Sequence, residues 1–399
     1  MIPPRMRHRH YFDHAATSFP KPDRVLDRVA EWQREIGSSA GRGAYEEASG
    51  AARVLLECRR ALCRVLGVDH PERLVFTSNA TSALNLGLKG LLRPGDHVVT
   101  SAVEHNSVLR PLNALVESRG ITISRLPAFS TGEIDAGALR KAITPRTALI
   151  VVQQASNVSG AIQPLAAIAA VARGHGVPVL VDAAQSAGSL AVEDASLALD
   201  MIAVPGHKGL LGPQGTGALW VRPGLELDTF VEGGTGSLSE RESQPLEWPD
   251  RHEAGSHNMP GLAGLLEGVG FLEDVGLSSV RGHKRRLTGQ LLEGLAAIDD
   301  IHVVGQRAPE MNAGVVSFVP SGSSPQEFAR RLDADFRVQA RPGLHCAPGA
   351  HQAIGSFPSG TVRLSVGFSN TEDDVAAALH AIQYLCARKG AILTGVSHD

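Results

Sequence analysis

The stretch VPVLVDAAQSAG, residues 177–188, decides the fold together with DMIAVPGHKGLLGPQGTGALWV, residues 200–221. Each contains a continuous run of aliphatic residues, which is typical of a strand buried on both faces. Similar runs occupy residues 73–78, 96–101 and 147–153. Helical patterns such as LAAIAAVARGHG, residues 165–176, separate several of them. The alternation predicts an α/β protein whose large domain is a mostly parallel sheet flanked by helices.

Beyond residue 231 the composition changes and predicts a second, smaller α+β unit. Residues 233–250 are rich in Gly, Ser, Glu and Pro, so we expect a long surface loop there. A helix near residues 262–275 then leads to strands at 314–319 and 361–367. The last helix begins at TEDD, residues 371–374, which resembles a capping box. We therefore expect an N-terminal segment at 1–22, a large domain at 23–260 and a small C-terminal domain at 261–399.

The composition excludes several classes of protein. The chain has 399 residues, a net charge of −3, 43% hydrophobic and 20% charged residues. A balance this close to neutral gives no reason to expect a nucleic-acid partner. No apolar run reaches the roughly 20 residues of a membrane helix, so we expect no membrane partner. The four cysteines form no C-x-x-C pair, and the first residues lack a signal peptide's apolar core, which favours a cytoplasmic protein.

The strongest local signal is a single lysine, Lys208, in the glycine-rich segment AVPGHKGLLGPQGTGAL, residues 203–219. A lone lysine is usually exposed to solvent. Here the glycines let the backbone approach a ligand closely, and His207 adds a neighbouring donor. A lysine in such a pocket can form a Schiff base with a carbonyl cofactor such as pyridoxal 5′-phosphate (PLP).

A second set of polar residues follows the strand before this segment. Asp182 ends the strand, where α/β sheets place ligand-binding groups. PLP needs a carboxylate to keep its pyridine nitrogen protonated, and Gln185 is placed to bond the phenolic oxygen. The alternative is an ordinary helix-capping aspartate. The presence of Lys208 after the next strand favours the cofactor.

Other strand ends carry further candidates. In TSNATSALNLGLKG, residues 77–90, the N–H groups of Ala80 and Thr81 and the Thr81 hydroxyl are placed to bind phosphate at a helix N-terminus; simple capping is the alternative. His105 could stack on a flat ring and shuttle protons, or cap a helix. Asn157 could bind the cofactor, or hold a turn.

The last candidates lie in ARPGLHCAPGAHQAIG, residues 340–355, and the strand after it. Cys346 sits in a loop beside His345 and is a nucleophile if its thiolate is stabilised. Arg363 is suited to bidentate binding of a substrate carboxylate. The alternatives are a buried loop thiol and a surface arginine.

Together these motifs resemble the cysteine desulfurases of the class V aminotransferase family, which are fold-type I PLP enzymes. The resemblance covers nearly the whole chain, from YFDHAATSFPKP at residues 11–22 to FSNTEDDV at residues 368–375. The ordered motifs between them are EHN, SNVSG, VDAAQS, GHKGLLGPQGTG, EAGSHN and GLHCAP. The compact stretch around Cys346 is closest to the group that includes the SUF-type, or group II, desulfurases.

The resemblance implies a role for each candidate. Lys208 carries the cofactor and moves the substrate proton, Cys346 attacks the substrate sulfur, and Arg363 binds the substrate carboxylate with Asn157 nearby. The implied cofactor-binding residues are Ala80, Thr81, His105, Asn157, Asp182, Gln185, His207, Lys208 and Ser256. Ser256 in EAGSHN would reach the phosphate of a partner subunit, so the resemblance also implies a homodimer. No metal is implied.

The implied reaction converts L-cysteine to L-alanine and leaves a persulfide on Cys346, which passes to a sulfur-acceptor protein or a small thiol. The acceptor and the pathway, iron–sulfur cluster assembly among them, stay open. Three alternatives remain: a selenocysteine lyase acting on L-selenocysteine, a cysteine or cystine C–S lyase, and a non-catalytic PLP-binding sulfur carrier.

Two departures from the family pattern bear on these expectations. Pro205 stands where the family has Ser or Thr, and proline brings neither a hydroxyl nor an N–H. We therefore expect one phosphate contact to be lost. Pro342 replaces a threonine before the cysteine, which should stiffen the cysteine loop.

Overall fold

The computed structural model describes residues 9–40, 43–193 and 197–387 of the chain. Of the predicted N-terminal segment, residues 1–22, the structure describes residues 9–22, and residues 1–8 lie outside the described part. Every helix in the described ranges is too short or too polar to span a lipid bilayer. The cytoplasmic location stays a prediction.

A seven-stranded sheet forms the larger layer, and its mostly parallel character is as expected. In spatial order its strands are Leu74–Thr77, Gly217–Val221, Met201–Pro205, Val179–Asp182, Thr147–Gln153, His97–Ser101 and Thr122–Leu126. Gly217–Val221 runs antiparallel to both of its neighbours, and the other six strands of this sheet all run in one direction. The edge strand Thr122–Leu126 was not among the predicted runs, because its polar, partly exposed residues lack a continuous aliphatic stretch.

Apolar residues cover both faces of this sheet, which explains the continuous aliphatic runs. Successive residues of the strand Thr147–Gln153 pack into two different apolar cores. Ile150 and Val152 belong to one core, and Leu149 and Val151 belong to the other. This is the two-residue alternation of a strand with helices on both sides. The α-helices are Asp23–Glu31, Glu46–Leu66, Ala80–Leu91, Asn106–Arg119, Leu139–Ala142, Leu165–Gly174, Met259–Val275, Leu277–Ala296, Pro325–Phe336, Pro348–Ala353 and Glu372–Ala387.

The C-terminal part has its own antiparallel sheet and its own core. The strands lie in the order Arg341–Gly343, Thr361–Ser365, Val315–Pro320 and Ile301–Val304. Phe318 and Leu291 belong to a separate apolar cluster beneath this sheet. The strand His10–Tyr11 pairs in parallel with Val338–Gln339, so the start of the described chain joins this part.

The helix Met259–Val275 lies where the predicted division between domains falls. Its buried Leu262, Leu265 and Val269 pack in the same core as the large sheet. The expected boundary between domains at residue 260 thus lies inside a helix of the larger layer. The packing of that helix does not support a boundary there, and the division into domains stays a prediction. Residues 233–250 form the surface loop that the composition predicts, with all but Pro245 exposed or partly exposed.

Candidate active site

The carboxyl ends of the parallel strands meet along one edge of the large sheet, and a pocket opens there. Eight of the predicted cofactor-binding residues line it: Ala80, Thr81, His105, Asn157, Asp182, Gln185, His207 and Lys208. The strands bring these residues together because parallel neighbours end at the same edge. Gln153, for example, pairs directly with Asp182. Ser256, Cys346 and Arg363 do not line this pocket.

Lys208 and Asp182 form the charged centre of the pocket. Burial lowers the pKa of Lys208 to about 8, and the charge of Asp182 opposes that shift. Burial raises the pKa of Asp182, whose Oδ1 accepts a hydrogen bond of 2.9 Å from the N–H of Ala184. In the described part of the chain no cation forms an ion pair with this buried carboxylate. A protonated pyridine nitrogen would supply that cation, so the residues present fit PLP.

His105 satisfies both interpretations of the sequence, since it caps a helix and lines the pocket. Its Nδ1 accepts a hydrogen bond of 3.0 Å from the N–H of Ser107, in the first turn of the helix Asn106–Arg119. Burial and then the charge of Lys208 lower the pKa of His105 to about 4. The ring is therefore neutral at neutral pH, with Nδ1 committed to the cap and Nε2 carrying the proton.

The helix Ala80–Leu91 offers the phosphate-binding end that the sequence predicts. The Asn79 side chain caps the N–H of Ser82, which leaves the N–H groups of Ala80 and Thr81 at the open first turn. Gly217 packs against this turn so closely that a Cβ there would lie 2.7 Å from the Asn79 carbonyl carbon. Pro205 lines the same pocket, and the predicted loss of a phosphate contact there stays a prediction.

The cysteine loop is tied to this pocket through its backbone. Asn106 N–H donates to the carbonyl of Cys346 at 2.8 Å, and Asn157 Nδ2 donates to the carbonyl of His345 at 2.7 Å. His345 and Cys346 both have positive φ angles, 48° and 60°, which non-glycine residues adopt only when their surroundings hold them. Cys346 itself is exposed to solvent.

His345, the neighbour of Cys346 along the chain, does not stabilise a thiolate by charge. Its side chain is buried, its Nε2 lies 3.1 Å from Thr361 Oγ1, and its ring packs beside His351. Burial strongly lowers the pKa of His345, so the ring stays neutral and supplies no positive charge.

Arg363 is fully buried, so the surface arginine considered as an alternative is wrong. One end of its guanidinium donates to the carbonyl of Asn157 at 3.1 Å, and the other forms an ion pair of 2.5 Å with Asp13. Each terminal nitrogen of the fork therefore has one partner, whereas Nε has none among the described residues. Asp13 and the Asn157 carbonyl would compete with a substrate carboxylate for the terminal nitrogens, and the substrate role of Arg363 stays a prediction.

Ser256 lies in a separate groove together with the exposed side chains of Phe230 and Val231. That groove shares no lining residue with the pocket of Lys208. The segment is held in place by the buried Glu253, which forms an ion pair of 2.5 Å with Arg59. Ser256 is thus presented outward rather than toward the pocket of its own chain.

Sequence reasoning missed two residues that support the site. Asp13 is the partner of Arg363, and no local pattern links positions 350 residues apart. Glu104 is completely buried behind the strand ends, accepts hydrogen bonds from Ser101 and from the N–H of Gln153, and has its pKa raised to about 8 by burial. Its place beside His105 in the EHN motif was the available signal.

The lowered pKa of Lys208 predicts how cofactor uptake depends on pH. Only the neutral amine reacts with an aldehyde, and in the cofactor-free protein the neutral fraction rises with pH up to the pKa of about 8. We expect the rate of PLP incorporation to increase about tenfold per pH unit below that value and to level off above it. Stopped-flow absorbance would measure this. With a free lysine side chain, whose pKa is about 10.4, the rate of reaction with PLP should keep rising above pH 8. The same continued rise above pH 8 in the protein would contradict the prediction.

Comparison with known proteins places these features in a family. A family model described as aminotransferase class-V matches residues 10–378. A protein described as a probable cysteine desulfurase from Methanothermobacter thermautotrophicus is 33% identical over 378 residues, covering 93% of each chain. A second, from Halobacterium salinarum, is 33% identical over 383 residues, covering 93% of this chain and 90% of the relative.

Solved structures give the same result. The apo structure of the cysteine desulfurase from Thermococcus onnurineus NA1 has a TM-score of 0.88 and 31% identity, covering 94% of both chains. The structure of the cysteine desulfurase CsdA from Escherichia coli has a TM-score of 0.85 and 26% identity, also covering 94% of both.

Proposed function

This chain belongs to the aminotransferase class-V family, and we propose that it is a PLP-dependent cysteine desulfurase that converts L-cysteine to L-alanine and carries the sulfur as a persulfide on Cys346. The position of the cysteine loop carries the proposal. The loop presents an exposed thiol, while hydrogen bonds from Asn106 and Asn157 fix its backbone to the pocket of Lys208. The exposed thiol can meet a substrate at the pocket and then a sulfur acceptor in solution.

The side chains divide the work between binding, proton transfer and sulfur transfer. When bound, PLP supplies an electron sink that withdraws electrons from the substrate. Lys208 takes the Cα proton, since its pKa of about 8 leaves part of the amine neutral near pH 7. Asp182 balances the positive charge on the cofactor ring, and the helix end at Ala80 and Thr81 holds the phosphate.

Sulfur transfer belongs to Cys346. Its thiolate forms a bond with the substrate sulfur, and the Cβ–S bond of the substrate breaks. The electron pair of that bond stays with the three-carbon product, which takes up protons and leaves as alanine. The persulfide then passes its outer sulfur to an acceptor protein or a small thiol.

Product analysis tests the proposal. The purified protein would be mixed with L-cysteine, PLP and a reducing thiol. We expect alanine and sulfide in equal amounts, because each turnover moves one sulfur to Cys346 and the thiol removes it. Pyruvate and ammonia would instead show β-elimination by a C–S lyase. Alanine formed only from L-selenocysteine would show a selenocysteine lyase. If none of these products formed, the non-catalytic PLP-binding carrier would be the remaining alternative.

We also propose that the protein is a homodimer in which Ser256 binds the cofactor phosphate of the partner subunit. The support is the groove of Ser256, which lies outside the pocket of its own chain and beside the exposed Phe230 and Val231. Exposed apolar side chains grouped in this way are typical of an interface.

The dimer proposal predicts both a mass and an affinity. We expect the native protein to have the mass of two 42.0 kDa chains in solution. Ser256→Ala should weaken PLP binding about tenfold, as expected for a hydrogen bond to a charged group, without changing that mass. Light scattering and PLP titration would measure the two. The exposed Ser118→Ala is the matched control, and an unchanged PLP affinity in Ser256→Ala would refute the role of Ser256.

A further inference from the structure

A second cavity adjoins the pocket of Lys208 and is unusual in the charges that it contains. It shares Ala184, Gln185 and Lys208 with the pocket described above, but extends toward the helix Leu277–Ala296 of the C-terminal part. Its lining includes three basic side chains, those of His14, Lys208 and Lys284, and no acidic one. The remainder of the lining is the amide of Gln185, apolar side chains, small hydroxyls and glycines.

Lys284 points an ammonium group at this cavity without a counter-charge. Its Nζ donates one hydrogen bond, of 3.3 Å, to Ser189 Oγ. Within the described ranges, no carboxylate lies within ion-pair distance of it. The charged group that acts on the pKa of Lys284 is Arg281, which has the same sign and is itself bonded to the carbonyls of Glu310 and Asn312. An ammonium group has three donors, so two remain to be satisfied.

His14 adds a second unsatisfied group to the same cavity. The residue is 7% exposed, and in the described part of the chain neither ring nitrogen makes a hydrogen bond of good geometry, although the backbone of Tyr11 lies close enough to raise its pKa slightly against the effect of burial. Gly367 packs against the ring so closely that a Cβ there would lie 2.2 Å from Nδ1. Asp374 acts on His14 only from a distance, because its carboxylate is bonded to His10 and Thr371.

Lys284 is only partly exposed and His14 is buried, and polar groups withdrawn from bulk water in this way gain from a partner or, for a cation, from a counter-charge. We propose that this cavity binds a small monovalent anion of halide size, held by Lys284 Nζ, the Ser189 hydroxyl and the His14 ring N–H. The ligand is small because the cavity measures about 40 Å³, which admits a monatomic ion but no amino acid. It is an anion because every charged side chain in the lining is basic.

The protonation of Lys284 is consistent with this site. Burial lowers the pKa of Lys284 to about 8, so the group is still mostly a cation at pH 7. A water molecule in the cavity would accept a hydrogen bond but would not balance that charge. The experiment therefore has to distinguish a bound anion from water.

Bromide is the probe, because it scatters X-rays anomalously and has the charge and nearly the size of chloride. Crystals of the holoenzyme would be soaked in sodium bromide. We expect an anomalous peak in the cavity, in contact with Lys284 Nζ and Ser189 Oγ. Absence of that peak in the wild-type crystal overturns the proposal. The experiment uses the wild-type protein alone, so it does not depend on whether a variant folds.

Thermal unfolding tests the same site in solution. At constant ionic strength, bromide should raise the melting temperature by about 2 °C relative to gluconate, which is too large to enter, at a bromide concentration tenfold above its Kd. Lys284→Met should lose this rise, and the exposed Lys141→Met should keep it. An equal rise in Lys284→Met, even with a peak in the crystal, means binding at crystal concentration only and overturns the proposal.

Discussion

Replacing Cys346 with alanine is expected to abolish alanine formation from L-cysteine while leaving the cofactor bound. Cys346 is the exposed thiol among the four cysteines, and the other three are buried. Burial raises the pKa of both Cys58 and Cys63 to about 12, so neither provides a thiolate near neutral pH. Since sulfur transfer needs a thiolate nucleophile, we expect kcat to fall by at least on the order of 10²-fold.

The effect must be separated from loss of the fold or of the cofactor. The absorbance of bound PLP should be unchanged in Cys346→Ala, because Cys346 lies outside the pocket that Lys208 and Asp182 line. Cys63→Ala is the matched control: it removes a thiol that the mechanism does not use, and it should keep wild-type kcat. Alanine production that survives in Cys346→Ala would refute the persulfide step. Survival only with L-selenocysteine would favour the selenocysteine lyase.

Much of the pocket could be predicted because each part is local in the sequence. Asp182 and Lys208 directly follow continuous aliphatic runs, and the runs identify buried parallel strands. Parallel strands end at one edge, so polar residues after different strands must converge there. The helix end at Ala80 and Thr81 followed from the same reasoning.

What could not be predicted depends on contacts between distant parts of the chain. The sequence around Arg363 gives no sign that Asp13 would occupy its guanidinium. Likewise, His345 is next to Cys346 along the chain, yet the left-handed backbone at both residues lets one side chain be buried while the other is exposed. The packing of the helix Met259–Val275 against the large sheet is also a tertiary contact, because its apolar pattern does not say which sheet it covers.

The ion pair between Arg363 and Asp13 predicts a large loss of stability when only Asp13 is removed. The Arg363 side chain is fully buried and that of Asp13 is 25% exposed. Burial lowers the pKa of Arg363, and Asp13 is the main group that opposes this shift. Asp13→Ala would leave a buried guanidinium without a counter-charge, which costs about 3–5 kcal/mol for a fully buried pair; partial exposure places our expectation near the lower end.

Denaturant unfolding of variants would measure this cost and separate charge from packing. The double variant Asp13→Ala/Arg363→Met should be more stable than Asp13→Ala alone, because methionine fills the buried space without a charge. Glu327→Ala is the matched control, since it breaks an exposed ion pair with Arg330 and should leave the unfolding midpoint unchanged. If Asp13→Ala unfolds at the same midpoint as Glu327→Ala, Asp13 does not hold Arg363 in solution. The guanidinium fork would then be free to bind the carboxylate of the substrate, as the resemblance implied, and the KM for L-cysteine would show no dependence on Asp13.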